Sequence, residues 1–197
     1  VIQNIVAVSS FRAQKVLDIK PAVRYAIPAV FGAIIGARIA VQVDAVQMER
    51  IIGMLMLAMV PFVFWKPRAW LENRVGVVTE KNSVSVVVVF FLIGAYGGFI
   101  QAGVGIFLLM GIVYAGQVNL VKGNAIKVFI VLCFTVFALV VFLVNGYVDW
   151  RIGFTLAAGN AGGAMVASRL AVKRGEAFVR WVLLLAILMG ASKLLGF

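Results

Sequence analysis

The residues of this sequence that could bind a ligand or take part in a reaction are concentrated around one glycine-rich segment. Five glycines lie between positions 94 and 105, and apolar runs flank them on both sides. Gln101 lies among these glycines, and Asn124 and Lys127 follow at the start of the next apolar run. Glycine lets a ligand approach the backbone closely, and the unpaired N–H groups at a helix start favour an anion. The segment therefore predicts an anion site made of backbone N–H groups, amides and an ammonium group.

The predicted substrate-binding residues are the glycines of this turn and polar side chains of the spans that follow it. They are Gly97, Gly98, Gln101, Gly103, Gly105, Asn124, Lys127 and Asn160. Each has a structural alternative that the sequence leaves open. Glycines also let helices pack closely, and Asn160 could hydrogen-bond a neighbouring helix. Lys127 could extend its ammonium group to the membrane interface, and Asn124 could cap a helix.

The composition predicts a membrane protein and argues against an enzyme. Hydrophobic residues make up 64% of the 197 positions, and the mean hydropathy is +1.11. The seven acidic residues all lie in or beside loops, histidine is absent, and the one cysteine, Cys133, lies in an apolar run. With neither a nucleophile–base pair nor a metal-ligand cluster, we predict no enzyme activity and no cofactor. The net charge of +11 comes from basic residues at the ends of apolar runs, which is typical of membrane topology and not of nucleic-acid binding.

The apolar runs predict an all-α, polytopic membrane helix bundle, because several approach the ~20 residues that cross a bilayer. Pro28 and Pro61 lie inside two of the runs and are expected to kink or locally unwind their helices. Residues 1–11 are expected to be the end of a membrane helix whose start lies further upstream. The predicted spans cover residues 22–43, 47–65, 84–115, 120–144, 151–172 and 177–195.

An internal repeat relates the two halves of the chain. A shift of 131 residues places Asp18 on Asp149 and Arg38 on Arg169, and each matched residue has the same position relative to its span. A repeated unit of this kind is a common basis of transporter folds. We predict a first, N-terminally incomplete repeat at residues 1–66, a polar connecting loop at 67–83 and a second repeat at 84–197, all in one membrane domain.

The loop charges predict that the two repeats have opposite orientations in the membrane. Residues 12–24 carry four basic residues against Asp18, whereas their counterparts at 143–155 carry one basic and one acidic residue. At the other end of the span the bias reverses, because residues 38–50 are neutral and residues 169–181 carry a net charge of +3. Basic loops tend to remain cytoplasmic, so the charges predict inverted-topology repeats.

The opposite orientations also determine how the glycine-rich segment folds. The loops at residues 12–24 and 143–155 must be separated by an odd number of membrane crossings. The predicted spans 22–43, 47–65 and 120–144 already supply three. Residues 84–115 must therefore contribute none or two crossings. We predict a glycine-broken helical hairpin, either re-entrant or fully crossing, that turns within residues 97–105.

Several motifs resemble the sulfite exporter TauE/SafE family, also called the toluene-sulfonate uptake permease group. Residues 94–107 resemble its glycine-rich hairpin, and residues 122–127 are similar to the start of its next helix. Residues 148–151 and then 159–169 are similar to its late loop and penultimate span. The resemblance covers the whole chain and is strongest over residues 94–170. Family members carry a matching hairpin in the first repeat, and we expect this chain to lack that N-terminal hairpin.

The resemblance implies a membrane transporter for small, sulfur-containing anions such as sulfite, a sulfonate or a related organic anion. It also implies a multi-pass protein of the bacterial inner membrane. The expected partners are the anionic substrate and the lipid bilayer, and a homodimer is left open. The alternative is a non-transporting membrane scaffold or assembly subunit, which would need neither the hairpin nor Lys127.

Overall fold

The computed structural model describes residues 1–64, 83–115 and 120–195, and all regular structure in these ranges is helical. This confirms the predicted all-α class. The predicted polar connecting loop lies outside the described residues except for Ser83. The described helices are α1 (Ile2–Ala13), α2 (Ile19–Gln42), α3 (Ala45–Phe64), α4 (Ser83–Phe99), α5 (Val104–Tyr114), α6 (Leu120–Val144) and α7 (Trp150–Leu195).

Two of these helices are long and apolar enough to cross a membrane. They are α2, with a mean hydropathy of 1.5, and Val121–Val144 of α6, with a mean hydropathy of 2.9. Each has 24 residues and so rises about 36 Å, which exceeds the ~30 Å hydrocarbon core of a bilayer. The shorter apolar helices of the described ranges are Val84–Phe99, Val104–Tyr114 and Leu184–Leu194.

In helix α2 the small residues are buried against the rest of the protein and the large apolar residues are exposed. Its completely buried residues are Ala22, Ala29, Ala33 and Ala37. Its exposed residues include, at every fourth position, Ile27, Phe31, Ile35 and Ile39. A helix in water would hide its large apolar residues, so this arrangement indicates a surface that lipid covers. The helix continues through Pro28, as α3 does through Pro61, so the local unwinding expected at these prolines is absent.

The described helices form two compact units. One comprises Val1–Gln42 and Pro67–Asn145, and so contains α1, α2, α4, α5 and α6. The other comprises Val43–Lys66 and Gly146–Phe197, and so contains α3 and α7, which pack against each other. The largest completely buried side chains all belong to the first unit, and they are Phe90, Leu108, Ile112, Ile126, Ile130 and Phe134.

Helices α2 and α4 approach each other through glycines of both helices. A Cβ atom would collide with the backbone of the facing helix at Gly32 and Gly36 of α2, and at Gly94 and Gly98 of α4. The two glycines of each helix are four residues apart and therefore lie on one face. This small-xxx-small arrangement lets membrane helices bring their backbones into contact. It fixes the position of the hairpin that begins with α4.

The helix boundaries repeat with the same 131-residue spacing as the sequence. The end of α1 at Ala13 matches the end of α6 at Val144, and the start of α2 at Ile19 matches the start of α7 at Trp150. The local folding signals are thus the same in both copies, although only part of the sequence is identical.

The turns that precede α2 and α7 also have the same backbone. Lys15 and Gly146, which are matched by the repeat, both lie in the left-handed region, with φ angles of 55° and 74°. The backbone carbonyls of Asp18 and Asp149 accept hydrogen bonds from the N–H groups four residues later, at 3.3 and 2.9 Å. Each aspartate therefore stands at the start of its helix, where its side chain also favours initiation.

The spans predicted at residues 151–172 and 177–195 form one continuous helix, α7, of 46 residues. The expected break is absent although Gly175 is the counterpart of Asp44. The Lys, Arg and Glu residues next to Gly175 are good helix formers, and the helix continues through them, whereas Asp44 lies between α2 and α3. At 1.5 Å per residue, α7 is about 69 Å long, more than twice the thickness of a hydrocarbon core.

Candidate functional site

The glycine-rich segment folds as a helical hairpin. α4 ends at Phe99, α5 begins at Val104, and the turn between them holds two residues in the left-handed region, Gln101 with φ 65° and Gly103 with φ 69°. Glycine adopts this conformation freely, whereas it costs a residue such as glutamine about 1–2 kcal/mol. The predicted hairpin is confirmed, and its turn at residues 100–103 lies within the predicted interval of residues 97–105.

Tyr96 holds the two helices of the hairpin together across the turn. Its hydroxyl donates a 2.6 Å hydrogen bond to the carbonyl oxygen of Ala102. Its ring meets the ring of Phe107 in α5 edge to face, with 5.3 Å between the centroids. This aromatic geometry is favourable, and the hydrogen bond satisfies a carbonyl group that the turn leaves outside the helices. The tip of the hairpin is therefore held in one conformation.

Gln101 connects the tip of the hairpin to α6. Its side-chain amide donates a 3.2 Å hydrogen bond to the hydroxyl oxygen of Thr135. Because the hydroxyl accepts this bond, its own proton can be donated to a ligand. Sequence reasoning selected Gln101 but missed Thr135. The signal that could have found it is a single hydroxyl within the otherwise apolar residues 128–144.

Lys127 lies beside the first turn of α5. A Cβ atom at Gly105 would be 3.7 Å from Cδ of Lys127 and 4.0 Å from its ammonium nitrogen. Lys127 lies two turns into α6, about 10 Å from the helix start at Leu120, and its side chain is partly buried. The structure thus brings together three of the predicted site residues, since Gly103 caps the same helix start.

Two of the predicted glycines, Gly97 and Gly98, face neighbouring helices. A Cβ atom at Gly97 would lie 3.0 Å from both the ring of Phe134 and the side chain of Val104. A Cβ atom at Gly98 would lie within 2.6 Å of the Cα atom of Ala33. Gly97 and Gly98 therefore have the surroundings expected of glycines that let helices pack closely. The open backbone of the hairpin is at Gly103 and Gly105.

The two predicted asparagines have different positions. Asn124 is partly buried on α6, one turn before Lys127, and belongs to the same compact unit as the hairpin. Asn160 belongs to the other unit and is exposed on α7. It lines an open groove of about 450 Å³ together with residues of the preceding turns, namely Arg151, Ile152, Thr155, Leu156 and Gly159. Asn124 therefore shares a compact unit with the hairpin, whereas Asn160 does not.

The groups around the hairpin turn are those that stabilise an anion. The first turn of α5 presents backbone N–H groups and the positive end of the helix dipole. Lys127 adds a full positive charge, and Gln101 and Thr135 add neutral polar groups. Within residues 1–64, 83–115 and 120–195, no charged side chain is fully buried and no three potential metal ligands cluster. The described site thus has a positive electrostatic character.

Comparison with known proteins identifies the same family as the sequence motifs. The family described as sulfite exporter TauE/SafE matches residues 1–194. A Sinorhizobium protein named "Probable membrane transporter protein ORF9" is 28% identical over 194 residues, which are 96% of this chain and 72% of the relative. A "Probable membrane transporter protein" of Haemophilus influenzae is 22% identical over 167 residues, 83% of this chain and 63% of the relative. The Escherichia coli K12 protein YfcA is 28% identical over 103 residues, 52% of this chain and 38% of the relative.

The match to the family extends over nearly the whole chain. The chain spans less than two thirds of the length of two of these relatives, those of Haemophilus influenzae and Escherichia coli. It has no significant match among solved structures. The family consists of membrane transporters and not of enzymes, in agreement with the apolar helices and with the prediction from composition. The chain belongs to the sulfite exporter TauE/SafE family of membrane transporters.

Proposed function

We propose that the protein transports small, sulfur-containing anions, such as sulfite, a sulfonate or a related organic anion, across the bacterial inner membrane as a multi-pass protein. One observation carries this proposal. The ammonium group of Lys127 lies beside Gly105 in the first turn of α5, on the hairpin whose tip is tied to α6 by Gln101 and Thr135. The family description supplies the sulfur-containing class.

The chemistry of a sulfite or sulfonate group suits this arrangement. Its oxygens are acceptors that point in several directions, so a site must supply donors from more than one element. The start of α5 offers backbone N–H groups, Lys127 offers a charged donor from α6, and Thr135 offers a hydroxyl. The surrounding side chains are apolar, which strengthens each of these interactions relative to water.

The charge of the site favours a single negative charge on the substrate. One ammonium group and one helix dipole, equivalent to about half a charge, can balance a monoanion. A dianion such as sulfate would keep an excess negative charge in apolar surroundings, where an unpaired charge is costly. We therefore expect sulfonates and the singly charged form of sulfite to be preferred over sulfate.

The proposal is tested with the full-length protein in proteoliposomes. Uptake of sulfite, a small sulfonate and sulfate is measured for the unchanged protein, for Lys127→Gln and for Lys193→Gln. Lys193 is exposed near the end of α7, in the other compact unit, and provides the same change of charge. Loss of one partly desolvated, charge-assisted hydrogen bond of about 1.5–3 kcal/mol predicts at least a tenfold loss of affinity in Lys127→Gln only.

The scaffold alternative makes the opposite prediction for the same experiment. If the protein does not transport, uptake equals that of empty vesicles for every variant, including the unchanged protein. If it transports without this site, Lys127→Gln and Lys193→Gln behave alike. Protein content of the vesicles is measured in parallel, so that a loss of abundance is not counted as a loss of activity.

A further inference from the structure

A second group of basic residues surrounds a groove that the proposed transport site does not use. The groove has a volume of about 390 Å³ and is lined by Lys15, Val16, Leu17, Asp18, Ile19, Lys20 and Lys122. These residues come from the turn between α1 and α2, from the start of α2 and from α6, all in the same compact unit. Three ammonium groups and one carboxylate give the lining a formal charge of +2.

The positions of two of the lysines are unusual for helices. Lys20 is the second residue of α2, and Lys122 is the third residue of α6. Helix starts favour acidic side chains because the dipole is positive there, yet neither first turn contains an acid. Three lysines, against the one carboxylate of Asp18, thus line a groove beside the start of α2. A bound anion would stabilise this arrangement.

The groove is built on a defined turn and not on flexible side chains alone. Lys15 adopts a left-handed conformation, with φ 55°, and the N–H of Val16 donates to the carbonyl of Phe11 at 3.1 Å. The carbonyl of Asp18 then accepts from the N–H of Ala22 at the start of α2. The backbone that carries Lys15, Asp18 and Lys20 is therefore fixed before a ligand binds.

The matched turn of the second repeat shows which residues this backbone conformation requires. Residues 146–151 have the same left-handed first residue and the same aspartate at the helix start as residues 15–20. Glycine replaces Lys15 there, and Arg151 takes the place of Lys20. The turn thus folds without a lysine in the left-handed position. Lys15 is therefore an addition that the fold itself does not require, whereas a basic residue follows the aspartate in both copies.

We propose that this groove binds the phosphate group of an anionic phospholipid at the membrane surface. Both α2 and α6 begin at the groove and both are long enough to cross a bilayer, so the groove lies where hydrocarbon gives way to lipid headgroups. Basic pockets at the ends of membrane helices bind such headgroups. Val16, Leu17 and Ile19 add an apolar rim that suits the glycerol and first methylene groups of a lipid and not a free anion.

Native mass spectrometry of the full-length protein tests this proposal. The detergent-solubilised protein is titrated with phosphatidylglycerol and, separately, with uncharged phosphatidylcholine. We expect preferential retention of phosphatidylglycerol, and about a fivefold loss of its affinity in each of Lys20→Gln and Lys122→Gln. Asp18→Asn removes the opposing charge and keeps a side chain that can start a helix, so it is expected to raise the affinity about fivefold.

The controls distinguish a specific groove from general surface charge. Arg151→Gln changes the matched position of the second repeat and is expected to leave lipid binding unchanged. A gain in Asp18→Asn cannot arise from misfolding, and thermal unfolding of the lysine variants checks their integrity. Equal retention of phosphatidylcholine, an equal loss in Arg151→Gln or no gain in Asp18→Asn would overturn the proposal. Displacement of the lipid by excess inorganic phosphate would instead assign the groove to a soluble anion and would also overturn it.

Discussion

The side-chain amide of Gln101 donates to the hydroxyl of Thr135 at 3.2 Å, which ties the tip of the α4–α5 hairpin to the middle of α6. The two residues are 34 positions apart, so this is a tertiary contact and not a local turn. It also gives a reason for a glutamine in a left-handed position, where glycine would cost less. The amide has a partner there that a glycine could not provide.

This contact predicts that Gln101 and Thr135 act as a pair in transport. Gln101→Ala and Thr135→Val each remove one partner, at a cost of about 0.5–1.5 kcal/mol for a hydrogen bond of this type. If the pair positions the hairpin tip, the double variant loses no more sulfonate uptake than either single variant. Uptake in proteoliposomes is measured for all three variants.

Additive losses in the double variant would contradict a shared role. Tyr25→Phe serves as the control, because Tyr25 stacks on Phe90 at 4.5 Å within the same unit but away from the hairpin turn. Its ring contact survives the loss of the hydroxyl, so uptake is expected to remain unchanged.

The close approach of α2 and α4 predicts that Gly98 is required for stability. Gly98→Ala places a Cβ atom against the backbone of Ala33, which cannot move as a flexible side chain would. Overpacking of this kind costs about 1–3 kcal/mol. Gly153→Ala is the matched control, since nothing lies within 4 Å of a Cβ atom there, and the helix propensity of alanine favours it.

The measurement is the melting temperature of the purified protein in detergent, together with its abundance in the membrane. We expect Gly98→Ala to lower both and Gly153→Ala to lower neither. A Gly98→Ala variant that is as stable as the unchanged protein would show that α2 and α4 do not approach as closely as described.

The sequence predicts the hairpin because two independent signals agree, the glycines and the reversed loop charges. It does not show which glycines form the turn. Gly97, Gly98 and Gly103 look alike in the sequence, and only the positions of α2, α5 and α6 distinguish the two that pack from the one that turns. Helix pairing is a property of the folded chain, so Thr135 was missed for the same reason.

The boundaries of the repeated helices were predictable to within a few residues, because each has a strong local signal. Asp18 and Asp149 precede a helix in both copies, and a left-handed residue precedes each aspartate. The end of the span near Arg174 lacks such a signal. Its charged residues favour a helix in water as well as at a membrane surface, so sequence alone could not decide between a break and a continuous α7.

The distance between Gly105 and Lys127 predicts a graded response to side-chain size. Gly105→Ala places a Cβ atom 3.7 Å from Lys127 Cδ, which is ordinary contact, and is expected to keep transport. Gly105→Leu would displace the ammonium group from the first turn of α5 and is expected to abolish at least nine tenths of the uptake, a loss of about 1.4 kcal/mol or more in binding. Uptake is compared at equal protein content. Equal activity of the leucine and alanine variants would remove Lys127 from the substrate path.

The length of α7 predicts which part of this helix crosses the hydrocarbon core. Its first 23 residues, 150–172, rise about 34 Å and so span one hydrocarbon core. Placing the basic residues that follow at the membrane centre would cost about 2.5–3.5 kcal/mol for each charge. Arg174 is therefore expected at a membrane surface even though the helix continues. From the reversed loop charges we expect Arg174 on the same side of the membrane as Lys20.

Cysteine labelling in intact cells tests this arrangement. Cys133 is first replaced by serine, and single cysteines are placed at Lys20, Arg174, Asp44 and Tyr147. The first two are expected to be protected from an impermeant thiol reagent until the cells are permeabilised, and the last two to react at once, because basic segments stay cytoplasmic. Ile27→Cys on the exposed apolar face of α2 is the control and is expected to remain unreactive in both conditions, because lipid excludes the reagent. Labelling of positions 20 and 174 from opposite sides would rule out inverted repeats.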